Sequence, residues 1–368
     1  MKHKLLVPAI ILTLIGLLGC QAISKHIPAK LPEVPLTEQA DGYLVGTQSI
    51  SAIQIRNDKL QVIKQTKHSE LPWDATLYPA ISFDKRYLVF QHRKEEMQLS
   101  SPPSAIFSID FDTGKTQVHK TKYASTVGMG SSLDFFYTWY ANTLTQFDKE
   151  GKEIQSKTFD DLADGMQTFI DTSNRIHLVA LSKDSAIHLL ELAETDLSLI
   201  SDQTLSELDG GVPRFAQATI IQGVLYASLH SILTEGATIP DKRLLVLDLQ
   251  TMNPEFINLN EKTPDYLYHD GNSLFITHDS SASGTLKLCF STVNLDTGEI
   301  TFTDVSHILN TDTHEISTSH LKNFKYTADG KLLFTVQNRL IYFDMEKQEV
   351  LDTLTLEESN QIISIWMT

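Results

Sequence analysis

The sequence of 368 residues contains few of the residues and patterns that mark an active site. It has two cysteines, Cys20 and Cys289, and its thirteen histidines do not occur at the spacings typical of zinc ligands. It also has no glycine-rich phosphate loop and no Gly-x-Ser-x-Gly motif, which would present a nucleophilic serine. The sequence therefore predicts no catalytic residue, no metal site and no bound cofactor.

Positive charge is scarce as well. Lysine and arginine number 30 against 46 aspartate and glutamate residues, which gives a formal net charge of −16. Nucleic acids and anionic membrane surfaces attract basic proteins, so we expect neither to be a direct partner. Helical periodicity is not sustained over four turns anywhere, which points to a chain built from strands.

The first twenty residues have the pattern of an export signal. Lys2 and Lys4 precede an apolar run at residues 5–18, which is too short for a stop-transfer helix. The run ends in LLGC at residues 17–20, which resembles the lipobox of bacterial lipoproteins. The resemblance implies cleavage before Cys20, attachment of diacylglycerol to its sulfur and stable anchoring by the acyl chains. An ordinary secretory signal with an unrelated cysteine is the alternative.

The resemblance to lipoproteins also gives an expected location. Gln21 follows the cysteine, and in an organism with an outer membrane this favours export to that membrane; otherwise the anchored domain lies at the cell surface. Residues 21–41 contain Pro28, Pro32 and Pro35 without sustained periodicity, and we predict a flexible tether there. At about 3.1 Å per residue, such a segment could hold the domain roughly 60 Å from the bilayer.

Residues 42–368 contain a repeat of short apolar strands. Most of these strands follow a turn cluster, and in several of them Asp-Gly supplies the positive φ of a tight hairpin turn. The strands begin near Tyr43, Tyr87, Phe135, Ile176, Val224, Ser273 and Lys331. Around the last of them, residues 322–356 read as a complete four-stranded meander. Seven such units predict an all-β protein, a seven-bladed β-propeller, with a pair of β-sandwiches or a β-helix as alternatives.

The two ends of the repeat are unequal. The first unit contains three strands, and no candidate for its innermost strand precedes it. The chain ends in QIISIWM at residues 361–367, an isolated strand with no unit of its own. We therefore predict that this C-terminal strand closes the first blade and removes an open sheet edge.

Two turns resemble those of a known propeller family. IDFDTGK at residues 109–115 and VNLDTGE at residues 293–299 resemble the repeat of quinoprotein-type propellers, in which an aliphatic-Asp-x-x-Thr-Gly-Lys turn precedes a tryptophan that docks between blades. Val118 and Phe302 stand near the position of that tryptophan. The resemblance implies a shared fold, and we do not expect a quinone site to accompany it.

Loop length predicts which face of the propeller binds a partner. The turns after the second strands and the connections between blades share one face, and they include the long segments 93–104, 201–213, 230–242, 279–284 and 306–317. Long loops on rigid strands commonly carry binding residues. The candidate residues on this face are His92, Trp139, Tyr140, Arg214, His230 and His278.

These observations favour a lipid-anchored envelope protein whose propeller is a non-catalytic scaffold for a protein, a peptide or another ligand. An exported enzyme of the quinoprotein-like dehydrogenase or lactonase-like type, working in the central channel, is the main alternative. A sensor of a small envelope ligand is a third. Cys289 lies in an apolar strand, so we expect a buried, unreactive thiol.

Overall fold

The computed structural model describes residues 31–68, 71, 79–82, 84–92, 105–120, 128–140, 142–170, 175–183, 186–205, 210–279, 282, 286–306 and 320–368. The predicted export signal, including Cys20, lies outside these residues. No helix within the described ranges is long and apolar enough to cross a membrane. Twenty-eight strands in these ranges form seven four-stranded antiparallel sheets.

Each sheet is one blade, and the strands of a blade follow one another in the chain except in the first. Blade 1 contains β1 (Gly42–Gly46), β2 (Ser49–Arg56), β3 (Lys59–Lys67) and the last strand, β28 (Ile362–Met367). Blade 2 contains β4 (Ala80–Ile81), β5 (Tyr87–His92), β6 (Ala105–Asp110) and β7 (Thr116–Lys120). Blade 3 contains β8 (Gly128–Ser131), β9 (Phe135–Tyr140), β10 (Thr143–Asp148) and β11 (Glu153–Thr158). Blade 4 contains β12 (Leu162–Ile170), β13 (Arg175–Ser182), β14 (Ile187–Ala193) and β15 (Leu199–Leu205).

Blades 5 to 7 repeat this arrangement. Blade 5 contains β16 (Val212–Ile221), β17 (Val224–Leu233), β18 (Thr238–Asp248) and β19 (Pro254–Asn258). Blade 6 contains β20 (Pro264–Asp270), β21 (Ser273–His278), β22 (Cys289–Asn294) and β23 (Ile300–Asp304). Blade 7 contains β24 (Leu321–Tyr326), β25 (Leu332–Val336), β26 (Arg339–Asp344) and β27 (Glu349–Thr355). The prediction of a seven-bladed β-propeller is confirmed, and each of the seven predicted repeat strands is the second strand of its blade.

The Asp-Thr-Gly turns have a structural role. In blade 2, Asp110 Oδ1 accepts the backbone N–H groups of Asp112 and Thr113 at 3.0 and 3.3 Å, and Gly114 follows with a φ of +73°. In blade 6, Asn294 Oδ1 accepts the equivalent backbone N–H groups, those of Asp296 and Thr297, and Gly298 follows with a positive φ. In such a turn an aspartate or asparagine side chain accepts the backbone N–H groups, and a glycine readily adopts the positive φ that ends it. The turn therefore explains the motif without a cofactor.

Adjacent blades bury their apolar faces against each other. Between blades 6 and 7 the side chain of Phe324 stacks on those of Phe275 and Phe334, with ring centroids 5.0 and 5.5 Å apart, and all three are fully buried. Stacked aromatic pairs add to the free energy gained by burial alone. Because every blade needs a neighbour on both sides, the seven sheets stabilise one another only as a ring.

The C-terminal strand completes that ring, as predicted. β28 is the innermost strand of blade 1 and pairs antiparallel with β1, where Ile365 lies opposite Leu44. Ile365 and Ile362 pack into one apolar cluster with residues of blade 7. On the other side, the Trp366 ring stacks on Phe111 of blade 2 with centroids 4.5 Å apart, and its indole N–H donates to the carbonyl of Lys85 at 2.6 Å.

The predicted flexible tether at residues 21–41 needs correction from residue 31 onwards. Leu31 and Val34 are 1% and 5% exposed and belong to the apolar cluster shared by blades 1 and 2. The Val34 N–H donates to the carbonyl of Gly114 at 2.8 Å, and the Thr116 hydroxyl donates to the carbonyl of Leu31 at 2.7 Å. The apolar residues among the prolines dock this segment on the propeller, so the folded domain begins before residue 42. Residues 21–30 lie outside the described ranges.

We predict that truncation after Glu358 strongly destabilises the protein. It removes Ile362, Ile363 and Ile365, which are at most 6% exposed, and burial of each contributes roughly 1.5–3 kcal/mol. Their combined loss is comparable with the roughly 5–15 kcal/mol stability of a typical domain. Thermal unfolding and limited proteolysis measure the effect, and deletion of the exposed Thr368 alone is the control. An unchanged melting temperature in the truncated protein would contradict closure by β28.

Candidate functional site

A large cavity among the described residues forms the central channel of the propeller. It has a volume of about 1040 Å³ and lies between the inner strands β4, β16, β20, β24 and β28. Its lining includes Lys85, Asp270 and Asp329, which lie at or beside turns between first and second strands, and Asp58 from a turn between third and fourth strands. Both kinds of turn share the face opposite the long loops, here called the short-turn face. The channel therefore opens on the short-turn face.

Three neighbouring inner strands carry the same irregularity where they line the channel. In β16 the register advances three residues, from Phe215 to Ala218, against two residues of β17. In β20 it advances from Pro264 to Leu267, and in β24 from Lys322 to Lys325, again against two residues of the second strand. Each strand thus has one extra residue, a β-bulge, and bulges are common beside functional sites.

Hydroxyl groups on the second strands support these bulges. Ser228 Oγ accepts the backbone N–H of Gln217 at 2.9 Å and donates to the carbonyl of Asp265 at 2.7 Å. Thr277 accepts the N–H of Tyr266 at 3.0 Å, and the Thr335 hydroxyl donates to the carbonyl of Lys322 at 3.2 Å. The side chains replace ladder bonds that a bulge removes, so the irregular backbone is fixed in place.

The bulge in β24 places two lysines on the same side of the strand. Lys322 lies opposite Thr335 and Lys325 opposite Leu333, two residues apart on β25 and so on one face of the sheet. In a regular strand, residues three apart would point to opposite faces. Asn323, in the bulge, has a φ of +59° and anchors its amide to Thr335 at 3.1 Å. Both lysines line the channel.

Lys325 belongs to a basic group at the channel mouth, together with Lys85 and His269. The pKa of Lys325 is lowered, chiefly by burial, with Asp270 acting to raise it and Lys85 to lower it further. The pKa of His269 is also lowered by burial, and the charges of Lys325 and Lys85 contribute. Asp270 Oδ1 lies 3.9 Å from Lys325 Nζ, and its other oxygen accepts the Tyr326 N–H at 2.6 Å. Asp270 thus acts on both Lys325 and His269.

Asp265 and Lys322 form a second pair beyond the mouth, at equivalent positions of blades 6 and 7. Burial raises the pKa of Asp265 to about 7, with help from the negative charge of Asp279, while Lys322 opposes the shift. Burial lowers the pKa of Lys322, and Asp265 partly offsets it. Lys322 Nζ lies 5.4 Å from the centre of the Tyr266 ring, a cation–π contact. Asp265 and Lys322 thus favour each other's charged form, while burial acts more strongly in the opposite direction on both.

Carboxylates also line the channel on the side of blades 1 and 7, but the fold already supplies donors to two of them. Asp41 Oδ2 accepts the backbone N–H of Ile55 at 2.6 Å. Asp329 Oδ2 accepts the hydroxyl of Tyr342 at 2.7 Å. Asp58 lies in an exposed turn. These acidic groups hold turns in place or face solvent.

No group of three histidine, cysteine, aspartate or glutamate side chains that could hold a metal ion occurs among the described residues. Cys289 is 2% exposed, and burial raises the pKa of its thiol to about 12. A thiol with such a pKa stays protonated at neutral pH and is a poor nucleophile.

Two of the six residues proposed for the long-loop face are buried in the fold. Trp139 is 1% exposed and stacks on Phe159 with ring centroids 5.5 Å apart. His278 is 8% exposed, donates from Nδ1 to the carbonyl of Lys262 at 3.0 Å and accepts the Ser291 hydroxyl at Nε2, 2.9 Å away. Burial lowers the pKa of His278 to about 4, so its ring is neutral. Both residues contribute to packing, which corrects the sequence prediction.

The other four are spread over three blades. Tyr140 is 39% exposed at the end of β9, and Arg214 is half-buried in β16. His230 Nε2 lies 3.7 Å from Asp279 Oδ2, and the backbone of His92 ends β5. The predicted loop at residues 230–242 is mostly strand, because β17 and β18 form a long hairpin joined at residues 234–237. The long-loop face thus remains a candidate surface, and the channel is a separate site.

Sequence reasoning missed the channel residues. They are Lys85, His269, Lys322 and Lys325, with Asp265 next to the channel-lining Tyr266. One signal was available: a turn-forming Asp-Gly and a matching lysine or aspartate recur on equivalent inner strands of blades 6 and 7. The bulge that turns these side chains toward the channel has no comparable signal in the sequence.

The sequence matches no protein-family model and no curated protein sequence. Its fold is similar to solved β-propellers. The periplasmic gluconolactonase PpgL of Pseudomonas aeruginosa aligns over 88% of this chain and 96% of its own, with 13% identity and a TM-score of 0.56. The dihydro-heme d1 dehydrogenase NirN, in complex with DHE, aligns over 93% of this chain and 79% of its own, with 13% identity and a TM-score of 0.56.

A third similar structure is the β-propeller domain of Cps50 (Swd1) from Myceliophteria thermophila. It aligns over 77% of this chain and 87% of its own, with 10% identity and a TM-score of 0.53. At such identities the similarity shows the fold, and one fold hosts many functions. The neighbours comprise two enzymes and a propeller domain named by its fold, so they do not select an activity.

We predict that His278 makes the protein less stable as the pH falls from about 6.5 to 4. The folded pKa of about 4 lies below the unfolded value of roughly 6.5. The unfolded state therefore binds more protons in this window, and stability is lost as the pH falls. The contribution reaches about 3 kcal/mol at pH 4. Chemical unfolding of wild type and His278→Gln at pH 7 and pH 4 measures it, and equal losses in the two proteins would contradict it.

Proposed function

We propose that this protein is an exported lipoprotein whose propeller binds a small polar ligand in its central channel, as a non-catalytic binding module. The observation that carries the proposal is the channel itself. It offers about 1040 Å³, which is the size of a typical ligand site. Its inner strands present charged side chains on a backbone fixed by hydroxyl-supported bulges. Burying such groups is costly unless a partner compensates them.

The anchored location rests on the N-terminal pattern. Lys2, Lys4 and the apolar run before Cys20 support export and lipidation, and the resemblance to bacterial lipoproteins supports an outer-membrane or cell-surface position. The acidic net charge of −16 fits a domain whose membrane contact is made by acyl chains. The turns that resemble quinoprotein-type repeats support a common repeat design, and we assign no quinone to the channel.

Asp265, which acts on the channel-lining Lys322, favours a second candidate, an exported enzyme that uses the same channel. A carboxyl group with a pKa of about 7 beside Lys322 can donate or accept a proton at neutral pH, as a general acid or base must. Hydrolysis of a lactone or ester would need such a group. A protein or peptide partner on the long-loop face, at Tyr140, Arg214 and His230, is a further binding function compatible with the same anchor.

We expect a channel-filling variant to lose the ligand. In Thr219→Trp a large ring replaces a half-buried side chain that lines the channel, whereas Tyr140→Ala alters the long-loop face. Equilibrium dialysis of wild type and both variants against an envelope metabolite extract, read by mass spectrometry, should retain a small molecule with wild type and Tyr140→Ala only. Retention by Thr219→Trp would overturn the channel proposal. Conversion of the retained molecule would establish the enzyme instead.

We expect Cys20→Ala to leave a soluble or uncleaved precursor, because acyl chains on Cys20 provide the proposed anchor. Fractionation of cells labelled with a fatty acid measures this, with Cys289→Ala as the matched control, since that thiol is buried in the propeller. Acyl label in Cys20→Ala at the level of wild type would refute the lipid anchor.

A further inference from the structure

We propose that the channel ligand is a small organic anion, held by Lys325, Lys85 and His269 at the mouth and by Lys322 one bulge deeper. This inference rests on the proposed binding function and names the chemistry of its ligand. It follows from the charge of the groups that line the channel, from their positions on the inner strands and from what partners the fold provides for them.

Two lysines, Lys85 and Lys325, lie at the channel mouth beside the carboxylates of Asp58, Asp270 and Asp329. The positive charge of Lys85 acts on Lys325, and both act on His269, whose lowered pKa favours a neutral ring that can donate a hydrogen bond. The carboxylate acting on Lys325 is that of Asp270, which also accepts a backbone N–H. Since the fold already supplies donors to Asp270 and Asp329, the two lysines are the groups in this low-dielectric cleft that attract an anion.

The deeper lysine also lacks a full counter-charge. Lys322 makes no ion pair with a carboxylate among the described residues, and the negative group that acts on it is Asp265. Because the pKa of Asp265 is raised to about 7, that carboxyl is protonated part of the time at neutral pH. An anion within reach of both lysines would supply the missing charge and restore part of the hydration that each ammonium group loses.

The position of the lysines favours one ligand that contacts both. The bulge at Asn323 brings Lys322 and Lys325 to one face of β24, because their partners on β25 are two residues apart. Tyr266 lies beside Lys322 and lines the same channel. A carboxylate or phosphate on a short carbon skeleton would place its charge between the ammonium groups and its skeleton along the Tyr266 ring.

Titration calorimetry of the purified full-length protein with three matched probes tests the inference. Glycerol, glycerate and glycerol 3-phosphate share a three-carbon skeleton and carry no charge, a carboxylate and a phosphate. We expect one or both anions to bind and glycerol not to bind, and the ratio of the two anion affinities identifies the preferred group. Binding should weaken as NaCl rises from 50 to 200 mM, because salt screens the attraction.

The variants assign the binding to the lysines. Lys322→Met and Lys325→Met should each weaken anion binding by about tenfold or more, the loss expected when a charged hydrogen bond is removed. Lys325→Arg keeps the charge and should bind within a few-fold of wild type. Lys347→Met is the matched control, because this lysine is in blade 7 but 65% exposed and outside the channel. Melting temperatures show that each variant is folded.

Two results would overturn the inference. Neither anion binding to wild type would do so, and so would equal affinity of glycerol and the anions with no loss in the lysine variants. In the second case the channel would still bind a ligand, so the proposed function would survive while the anionic class would not. The dialysis experiment separates the two failures in the same way. If wild type retains a ligand from the extract that Thr219→Trp loses, but binds neither anion, the channel function stands and the anionic class fails.

Discussion

The need of every blade for an apolar neighbour on both faces governs this structure. A four-stranded sheet with two apolar faces is unstable alone, and only a closed ring covers all fourteen faces of seven sheets. Because the ring must close, the last strand of the chain has to pair with the first blade. The closing strand also shapes the site, since the Trp366 indole donates to the carbonyl of Lys85 and so fixes the turn that carries this lysine at the channel mouth.

A second constraint acts at the centre of the ring. Seven inner strands converge on one axis, and regular alternation would send half of their side chains into each neighbouring blade. The bulges in β16, β20 and β24 break that alternation where the strands line the channel. The repeat supplies Ser228, Thr277 and Thr335 at corresponding places to satisfy the irregular backbone. Polar side chains can then face the channel without leaving backbone groups unpaired.

The sequence predicts the ring well because its signals are local. An Asp-Gly turn or a strict alternation of apolar residues depends on a few neighbours, so the second strand of each blade and the closing strand could be recognised without a structure. The channel could not. Lys322 and Lys325 are three residues apart, and regular alternation places them on opposite faces. The residue that changes this is Asn323, which has a positive φ of +59°. Because the position is not a glycine, the sequence does not signal this conformation.

Burial explains the errors on the other face. Trp139 and His278 lie next to or at the ends of second strands, where an aromatic or polar side chain is readily assigned to solvent. Ring stacking on Phe159 and hydrogen bonds to Lys262 and Ser291 hold them inside. Proline-rich composition likewise predicted a tether at residues 31–41. The apolar side chains between the prolines decide otherwise, because burial of each yields a free energy that polar linkers lack.

The docked segment bears on how the channel would be presented at a membrane. Val34 bonds to Gly114, which lies in a turn of the short-turn face. The chain thus enters the propeller on the same side as the channel mouth. Eleven residue steps separate Cys20 from Leu31, and a fully extended chain covers at most about 40 Å over that length. With the proposed anchor on Cys20, the mouth could not lie as far from the bilayer as a tether running to residue 41 would allow, because about half of that tether, residues 31–41, is part of the fold.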